Sequence, residues 1–174
     1  DPVGNITDLR DDAQQTLFFN NTVVEPHGAY TYDALYRLRT SEGREHIGQT
    51  STVNHAAPNA QPVISPQDGS AMRRYVQQFT YDKLGNILEV KHRAGTGSFT
   101  NNWTRHYRYD ESSLLRTGDT TNRLTKTSLD NWTSYASYTY DVHGNMTAMP
   151  RLQDMNWDYA DQLCAVDLGG GGTE

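Results

Sequence analysis

The chain has 174 residues, of which 35% are hydrophobic, and a mean hydropathy of −0.79, a size that allows one domain but a composition too polar for a thick aliphatic core. Its 11 Tyr, 3 Trp and 4 Phe exclude a disordered chain, which is short of aromatics. A net charge of −6, with Lys and Arg scattered and not striped, excludes a nucleic-acid-binding face, and no apolar stretch approaches the length of a membrane span.

In chain order, Asp1-Pro2-Val3-Gly4-Asn5-Ile6 is a turn signal. Residues 16–24 read as one strand with a polar interruption, and residues 29–40 as strand, turn and strand. Residues 41–49 leave the strand pattern for a short helical or irregular turn. Residues 50–71 carry Pro58, Pro62 and Pro66 and read as a long loop. Residues 73–81 and 86–93 form the clearest hairpin, with a turn at Asp82–Gly85. Residues 94–102 read as a loop. In residues 103–109, Trp103, Arg105, Tyr107 and Tyr109 alternate with Thr104, His106 and Arg108, the period-2 signature of a strand. Residues 123–128, 132–140, 145–148, 155–159 and 162–167 complete a set of short strands. Helical periodicity is absent, so the expected fold is all-β, built from antiparallel hairpins in one region spanning 1–174.

One phrase recurs: an aromatic residue, Asp, two variable residues, Gly-Asn and an aliphatic. Tyr81-Asp82-Lys83-Leu84-Gly85-Asn86-Ile87 and Tyr140-Asp141-Val142-His143-Gly144-Asn145-Met146 are full copies. Asp1, Gly4 and Asn5 belong to a third that lacks its aromatic. Tyr32-Asp33, Tyr109-Asp110 and Trp157-Asp158, followed by Leu38, Leu114 and Leu163, are looser copies. The tyrosine gives a half-buried surface at a strand end, and the aspartate accepts hydrogen bonds from backbone N–H groups two or three residues on. Gly4, Gly85 and Gly144 fit a position of positive φ. The Asp-to-Asp intervals are 32, 49, 28, 31 and 17 residues, too irregular for a propeller or for identical solenoid rungs. A long, winding antiparallel sheet fits better.

Little in the chain points to catalysis or metal binding. Acids placed alike in every repeat are structural and not catalytic. His27, His46, His55, His92, His106 and His143 fall into no metal-ligand spacing; His92 and His106 could face each other across adjacent strands, and the plainer expectation is polar strand-face histidines. The single Cys164 excludes an internal disulfide framework and is expected to be small and buried near a strand end. No catalytic, metal-ligating or cofactor-binding residue emerges. Trp103, Trp132 and Trp157 are the candidates to stack on sugar rings if the sheet were a binding module, against packing between strands as the plainer role.

The chain resembles the Rhs or YD-repeat family, and most closely the C component of bacterial insecticidal toxin complexes. Tyr32-Asp33, Tyr81-Asp82, Tyr109-Asp110 and Tyr140-Asp141 carry the general likeness. The closer likeness rests on Asp1-Pro2-Val3-Gly4-Asn5 with Arg10-Asp11-Asp12-Ala13, on Tyr30-Thr31-Tyr32-Asp33-Ala34-Leu35-Tyr36, on Gly43-Arg44-Glu45 with Gly48-Gln49, and on Asp167-Leu168-Gly169-Gly170-Gly171-Gly172-Thr173. The resemblance implies a segment of a sheet that spirals into a hollow shell, or cocoon. With a B component, such a shell encloses the parent chain's own C-terminal toxin, and the whole is secreted. Both ends then read as cut from a longer protein. The family's autoprotease motif is not matched near the C-terminus, so no catalytic residue is implied here.

Overall fold

The computed structural model describes residues 1–49, 68–95, 99–150 and 152–167. Fourteen antiparallel strands make up the described fold, with one 3-10 turn at Ile47–Gln49 and no α-helix among the described residues. The described residues form two compact units, one ending at Arg105 and the other beginning at His106.

In the first unit, β1 (Asp8–Arg10), β4 (His27–Tyr32), β5 (Leu38–His46), β6 (Met72–Tyr81), β7 (Ile87–Gly95) and β8 (Thr100–Arg108) lie side by side in that order. Between β1 and β4 the chain makes a separate hairpin, β2 (Leu17–Phe19) and β3 (Thr22–Val24). β8 carries the chain through the division between the units. In the second unit, its His106–Arg108 end pairs with β9 (Lys126–Ser128), which pairs with β10 (Ala136–Ser137). Two further hairpins follow, β11 (Thr139–Tyr140) with β12 (Met146–Ala148) and β13 (Asp154–Trp157) with β14 (Leu163–Asp167).

Four elements depart from the sequence expectation. Residues 16–24 are two strands and not one, because Asn20 and Asn21 both take left-handed backbone angles (φ 46° and 59°) and close a two-residue hairpin turn. Residues 41–46 remain in β5: Ser41 to His46 pair in unbroken register with Gln77 to Met72, although their polar side chains hide the strand. β7 reaches Gly95 and β8 begins at Thr100, inside the loop expected over 94–102. Trp132 is in a turn, with φ 74° after Asn131 at 56°, and not in a strand. The loop expected over 50–71 lies, for residues 50–67, outside the described residues.

The interior is thin. Among the described residues, Val24, Ala71, Val90, Ala94 and Met155 are the buried apolar side chains, and Ser41, Glu45, His92, Thr127 and Ser128 are equally buried polar ones. Alternating half-buried residues along β5, β6 and β7 show sheets that stay partly wet. Cys164 is exposed, contrary to expectation, because it is the extra residue of a bulge: Trp157 opposes Leu163 and Asn156 opposes Ala165, leaving Cys164 unpaired between them.

Candidate functional site

The repeated phrase builds one turn five times. Asp82 Oδ1 accepts the backbone N–H groups of Leu84 (2.8 Å) and Asn86 (2.9 Å), while Asn86 Nδ2 donates to Oδ2 (2.9 Å). The backbone closes around it: Asp82 N–H donates to Asn86 O (3.0 Å) and Gly85 N–H to Asp82 O (3.3 Å). Asp141 repeats the arrangement with Gly144 (2.8 Å) and Asn145 (2.9 Å, and 3.1 Å through Nδ2). Asp1 repeats it with Val3 (3.2 Å), Asn5 N–H (2.8 Å) and Asn5 Nδ2 (2.9 Å). The third residue after each aspartate sits at positive φ: Gly4 and Gly85 at 97°, and Gly144 at 98°.

The looser copies divide. Asp33 makes the same turn without Gly-Asn: Leu35 and Arg37 N–H groups bind Oδ1 at 2.8 and 3.0 Å, Arg37 Nε replaces the asparagine amide on Oδ2 at 2.7 Å, and Tyr36 occupies the left-handed position (φ 62°). Asp158 binds the N–H groups of Ala160 (2.8 Å) and Gln162 (3.0 Å), with Asp161 left-handed at 57°. Asp110 makes no such turn. Its carboxylate lies 3.6 Å from Lys126 Nζ, and the following segment is closed instead by the Glu111 carbonyl on Thr121 N–H (2.8 Å) and the Glu111 carboxylate on Thr121 Oγ1 (2.9 Å).

Accepting these donors keeps the acids ionised. Hydrogen bonds from Arg37, chiefly from its backbone N–H, hold the Asp33 carboxyl below the ordinary carboxylate range. The Asn86 side chain does the same for Asp82. For Asp141 burial pushes upward, but the bonds from Asn145 and Gly144 outweigh it and the net direction is down. Burial raises the hydroxyls of Tyr81 and Tyr140.

In four of the five turns the aromatic residue before the aspartate ties its hairpin to the segment before. Tyr32 Oη donates to Ile6 O (2.8 Å), Tyr81 Oη to Leu38 O (2.8 Å), Tyr140 Oη to Leu124 O (2.9 Å) and Trp157 Nε1 to Met146 O (2.8 Å). Three of these acceptors, Ile6, Leu38 and Met146, are the residue that follows the Asn or Arg of the preceding turn; Leu124 follows Arg123 in the same way. At the same residue each hairpin is bulged, with the register breaking at Thr31/Tyr32, Thr80/Tyr81, Thr139/Tyr140 and Asn156/Trp157. The extra residues are Arg39, Leu88, Thr147 and Cys164, and such bulges add right-handed twist.

Two arginines that the sequence reading passed over strengthen the tie. Arg37 Nη1 donates to Asp82 O (2.9 Å), with its guanidinium 4.8 Å from the Tyr81 ring centre. Arg123 Nη1 donates to Asp141 O (3.4 Å), its guanidinium 5.7 Å from the Tyr140 ring. A Cβ on Gly144 would stand 3.0 Å from Arg123 Nη2, so this glycine serves both the backbone angle and the passage of the arginine. The signal was present: Arg37-Leu38 and Arg123-Leu124 are the same dipeptide, each placed just before a return strand.

A second feature without a local motif lies within the first unit. Glu45 Oε1 is 3.0 Å from Arg73 Nε and Oε2 is 2.9 Å from His92 Nε2, the last pair too bent for a hydrogen bond. His92, expected on a polar strand face, is buried between Tyr75 (ring centres 5.4 Å apart) and Trp103 (5.0 Å, planes 4° apart). His106 lies 6.1 Å from Trp132, so the two histidines join different ring clusters. Among the described residues no group of His, Cys, Asp and Glu is arranged to hold a metal ion. The tryptophans are engaged: Trp103 stacks on His92, Trp132 has the Arg108 guanidinium 3.9 Å from its ring centre, and Trp157 is held through Nε1.

No family model matches the chain. Two curated proteins do. Toxin subunit YenC2 of Yersinia entomophaga is 30% identical over 168 residues, covering 97% of this chain and 16% of that subunit. Toxin subunit YenC1 of the same organism is 29% identical over 168 residues, covering 95% of this chain and 16% of that subunit. The chain therefore spans about one sixth of the length of the curated relatives it matches. Over nearly all of its length, this row of aspartate turns is related to a stretch of those toxin subunits.

Proposed function

We propose that this chain is a wall segment of an Rhs/YD-repeat shell, of the kind formed by the C component of insecticidal toxin complexes, and that the shell encloses a toxin polypeptide. The observation that carries the reading is the ring-to-carbonyl tie. Each aspartate turn holds itself closed, and in four of the five the preceding aromatic residue binds the backbone of the segment before. A sheet joined in this way extends by repetition and needs no central core, which agrees with the few buried apolar side chains. The recurrent bulge twists successive hairpins in one sense, as a curved wall requires. The similarity to toxin subunits supplies the biological setting.

On this reading the partners are a B component, the rest of the parent polypeptide and the enclosed toxin, and the assembly is secreted. The segment carries out no catalytic step and takes no cofactor. The alternative, a cell-surface module that binds carbohydrate or protein, loses its best sugar-stacking candidates, because Trp103, Trp132 and Trp157 are each engaged by a partner within their own unit.

The test is native mass spectrometry of the parent protein, followed by limited proteolysis of the intact particle. The shell reading expects the repeat region to travel in one large particle, with an enclosed polypeptide that resists protease until the wall is unfolded. A stable monomer with no protected polypeptide would overturn it.

A further inference from the structure

Arginine is scattered along the sequence, but the sheet of the first unit draws several arginines together. Arg10 of β1 lies opposite His27 of β4, and Arg44 of β5 lies opposite Arg74 of β6. The β4–β5 register, which sets Ala29 against Glu42, carries two residues further to set His27 against Arg44. Directly opposed residues share one face of a sheet, so four basic side chains from four adjacent strands form a single row. At the ordinary strand spacing the row spans three intervals, roughly 15 Å. Arg93 of β7 continues it, since it faces Val76, two residues along β6 from Arg74. The opposite face of these strands holds the buried Glu45 and His92. The basic face is open: the Arg10 side chain is 73% exposed and that of Arg74 is 47% exposed.

The row is only partly neutralised. Arg44 and Arg74 stand directly opposite each other, a placement that destabilises a sheet through like charge. Asp12 meets Arg10 at 2.7 Å, Asp8 meets His27, and Glu42 lies 3.6 Å from Arg74. Arg44 has uncharged acceptors, the Gln15 carbonyl at 3.0 Å and the Gln14 side chain. Arg93 is exposed and has no ion-pair partner among the described residues. A chain of net charge −6 thus gathers cations on one open face.

We infer that the row Arg10, Arg44, Arg74 and Arg93 is a docking strip for an acidic segment of a partner polypeptide. The charge pattern selects the occupant. A guanidinium binds a carboxylate through a planar fork, and Arg44 and Arg93 have no carboxylate of their own. A polymer charged at every unit, such as nucleic acid, or a uniformly anionic membrane would also meet Asp8, Asp12 and Glu42 beside the row. An acidic polypeptide can set carboxylates on the arginines and uncharged side chains against those acids. The inference goes beyond the shell reading and does not depend on it.

The test is fluorescence anisotropy of the rhodamine-labelled octapeptide (Ser-Glu)4 with the full parent protein. Binding is expected at low salt and should weaken as ionic strength rises. Unlabelled (Ser-Glu)4 should displace the probe, and the uncharged (Ser-Gln)4 should not. Arg93→Gln, which breaks no ion pair among the described residues, is expected to weaken binding about threefold, and the double variant Arg74→Gln, Arg93→Gln about tenfold. Arg116→Gln, at an exposed arginine of the second unit, should leave binding unchanged. The inference is overturned by no binding, by displacement with (Ser-Gln)4, or by equal affinity of the wild type and Arg93→Gln. An equal loss in Arg116→Gln, or tighter binding of octadeoxythymidylate or phosphatidylserine vesicles than of the peptide, overturns it as well. Should the double variant lose its far-UV spectrum, Arg93→Gln alone decides.

Discussion

The two units use the same kind of turn but strands of different length. In the first, β5, β6 and β7 run nine, ten and nine residues, and across them lie the Glu45–Arg73–His92 cluster and the Tyr75–His92–Trp103 stack. In the second, β9 to β14 run two to five residues. The Asp82 and Asp141 turns nonetheless agree closely, with aspartate-to-Asn backbone bonds of 2.9 Å in both. The turn is thus closed by its own five residues, aspartate to asparagine, whatever the length of strand attached to it. The expectation is that the first unit draws its stability chiefly from its long strands, and the second, with short strands, from its turns and ties.

The largest expected effect exploits that difference. Glu45→Ala leaves Arg73 buried without its carboxylate and is expected to destabilise the first unit by about 3 kcal/mol. Hydrogen exchange should rise in β5, β6 and β7 while the amides of β11 to β14 keep their protection. Equal loss in both units would mean that they unfold together, and the comparison would break.

Next in size is the turn acid. Asp82→Ala removes the acceptor of two backbone N–H groups and the Asn86 amide, and is expected to lower Tm on the order of 5 °C. Asp110→Ala, which removes only a 3.6 Å pair with Lys126, should move it by about 1 °C. The same acids set the pH dependence. Asp33, Asp82 and Asp141 titrate lower in the folded chain than in the unfolded one. Their contribution is complete above the ordinary carboxylate pKa of about 3.9 and disappears as pH falls through the depressed values. Thermal melts should therefore weaken below about pH 4, and Asp82→Ala should flatten part of that slope.

Asp33 and Asp110 also show how far the sequence was legible. Both follow a tyrosine and lack Gly-Asn, so the phrase alone ranks them equally, yet only Asp33 forms the turn. One difference is Arg37, whose side chain takes the place of an asparagine amide on Asp33, where the apolar Leu114 follows Asp110 at the same distance. The antiparallel all-β class was readable because hairpins are local, with turn and both strands within some twenty residues. β5 was misread beyond residue 40 because its Ser, Glu, Gly and Arg side chains carry no period-2 apolar signal; its strand character comes from pairing with β6, some thirty residues away in sequence. His92 was misplaced for the same reason: its burial is set by Tyr75 and Trp103 on neighbouring strands.

The ties between hairpins come third. Tyr81→Phe and Tyr140→Phe each remove one hydrogen bond to a carbonyl while keeping the ring, for an expected loss of about 1 kcal/mol apiece by denaturant unfolding. Should stability in the second unit reside in its ties, Tyr140→Phe will also raise exchange at Leu124 and Thr125, whereas Tyr81→Phe will leave the long β5–β6 ladder protected. Matching exchange changes would show that the strands, and not the ties, hold both units.

The smallest effect has the opposite sign. Tyr36 holds the left-handed position that glycine fills in the Asp1, Asp82 and Asp141 turns. A non-glycine residue there costs roughly 1–2 kcal/mol, whereas glycine costs roughly 0.5–1 kcal/mol through the greater freedom of the unfolded chain. Tyr36 is exposed, so little packing is lost with its ring. Tyr36→Gly is therefore expected to stabilise the isolated chain by about 0.5 kcal/mol. Gly85→Ala should destabilise it by about 1 kcal/mol through φ alone, since nothing lies within 4 Å of the added methyl group. Denaturant midpoints of the two variants, measured side by side, separate backbone strain from contact. If Tyr36→Gly destabilises, the tyrosine ring is itself holding the Asp33 turn, and that turn is closed differently from its Gly-Asn counterparts.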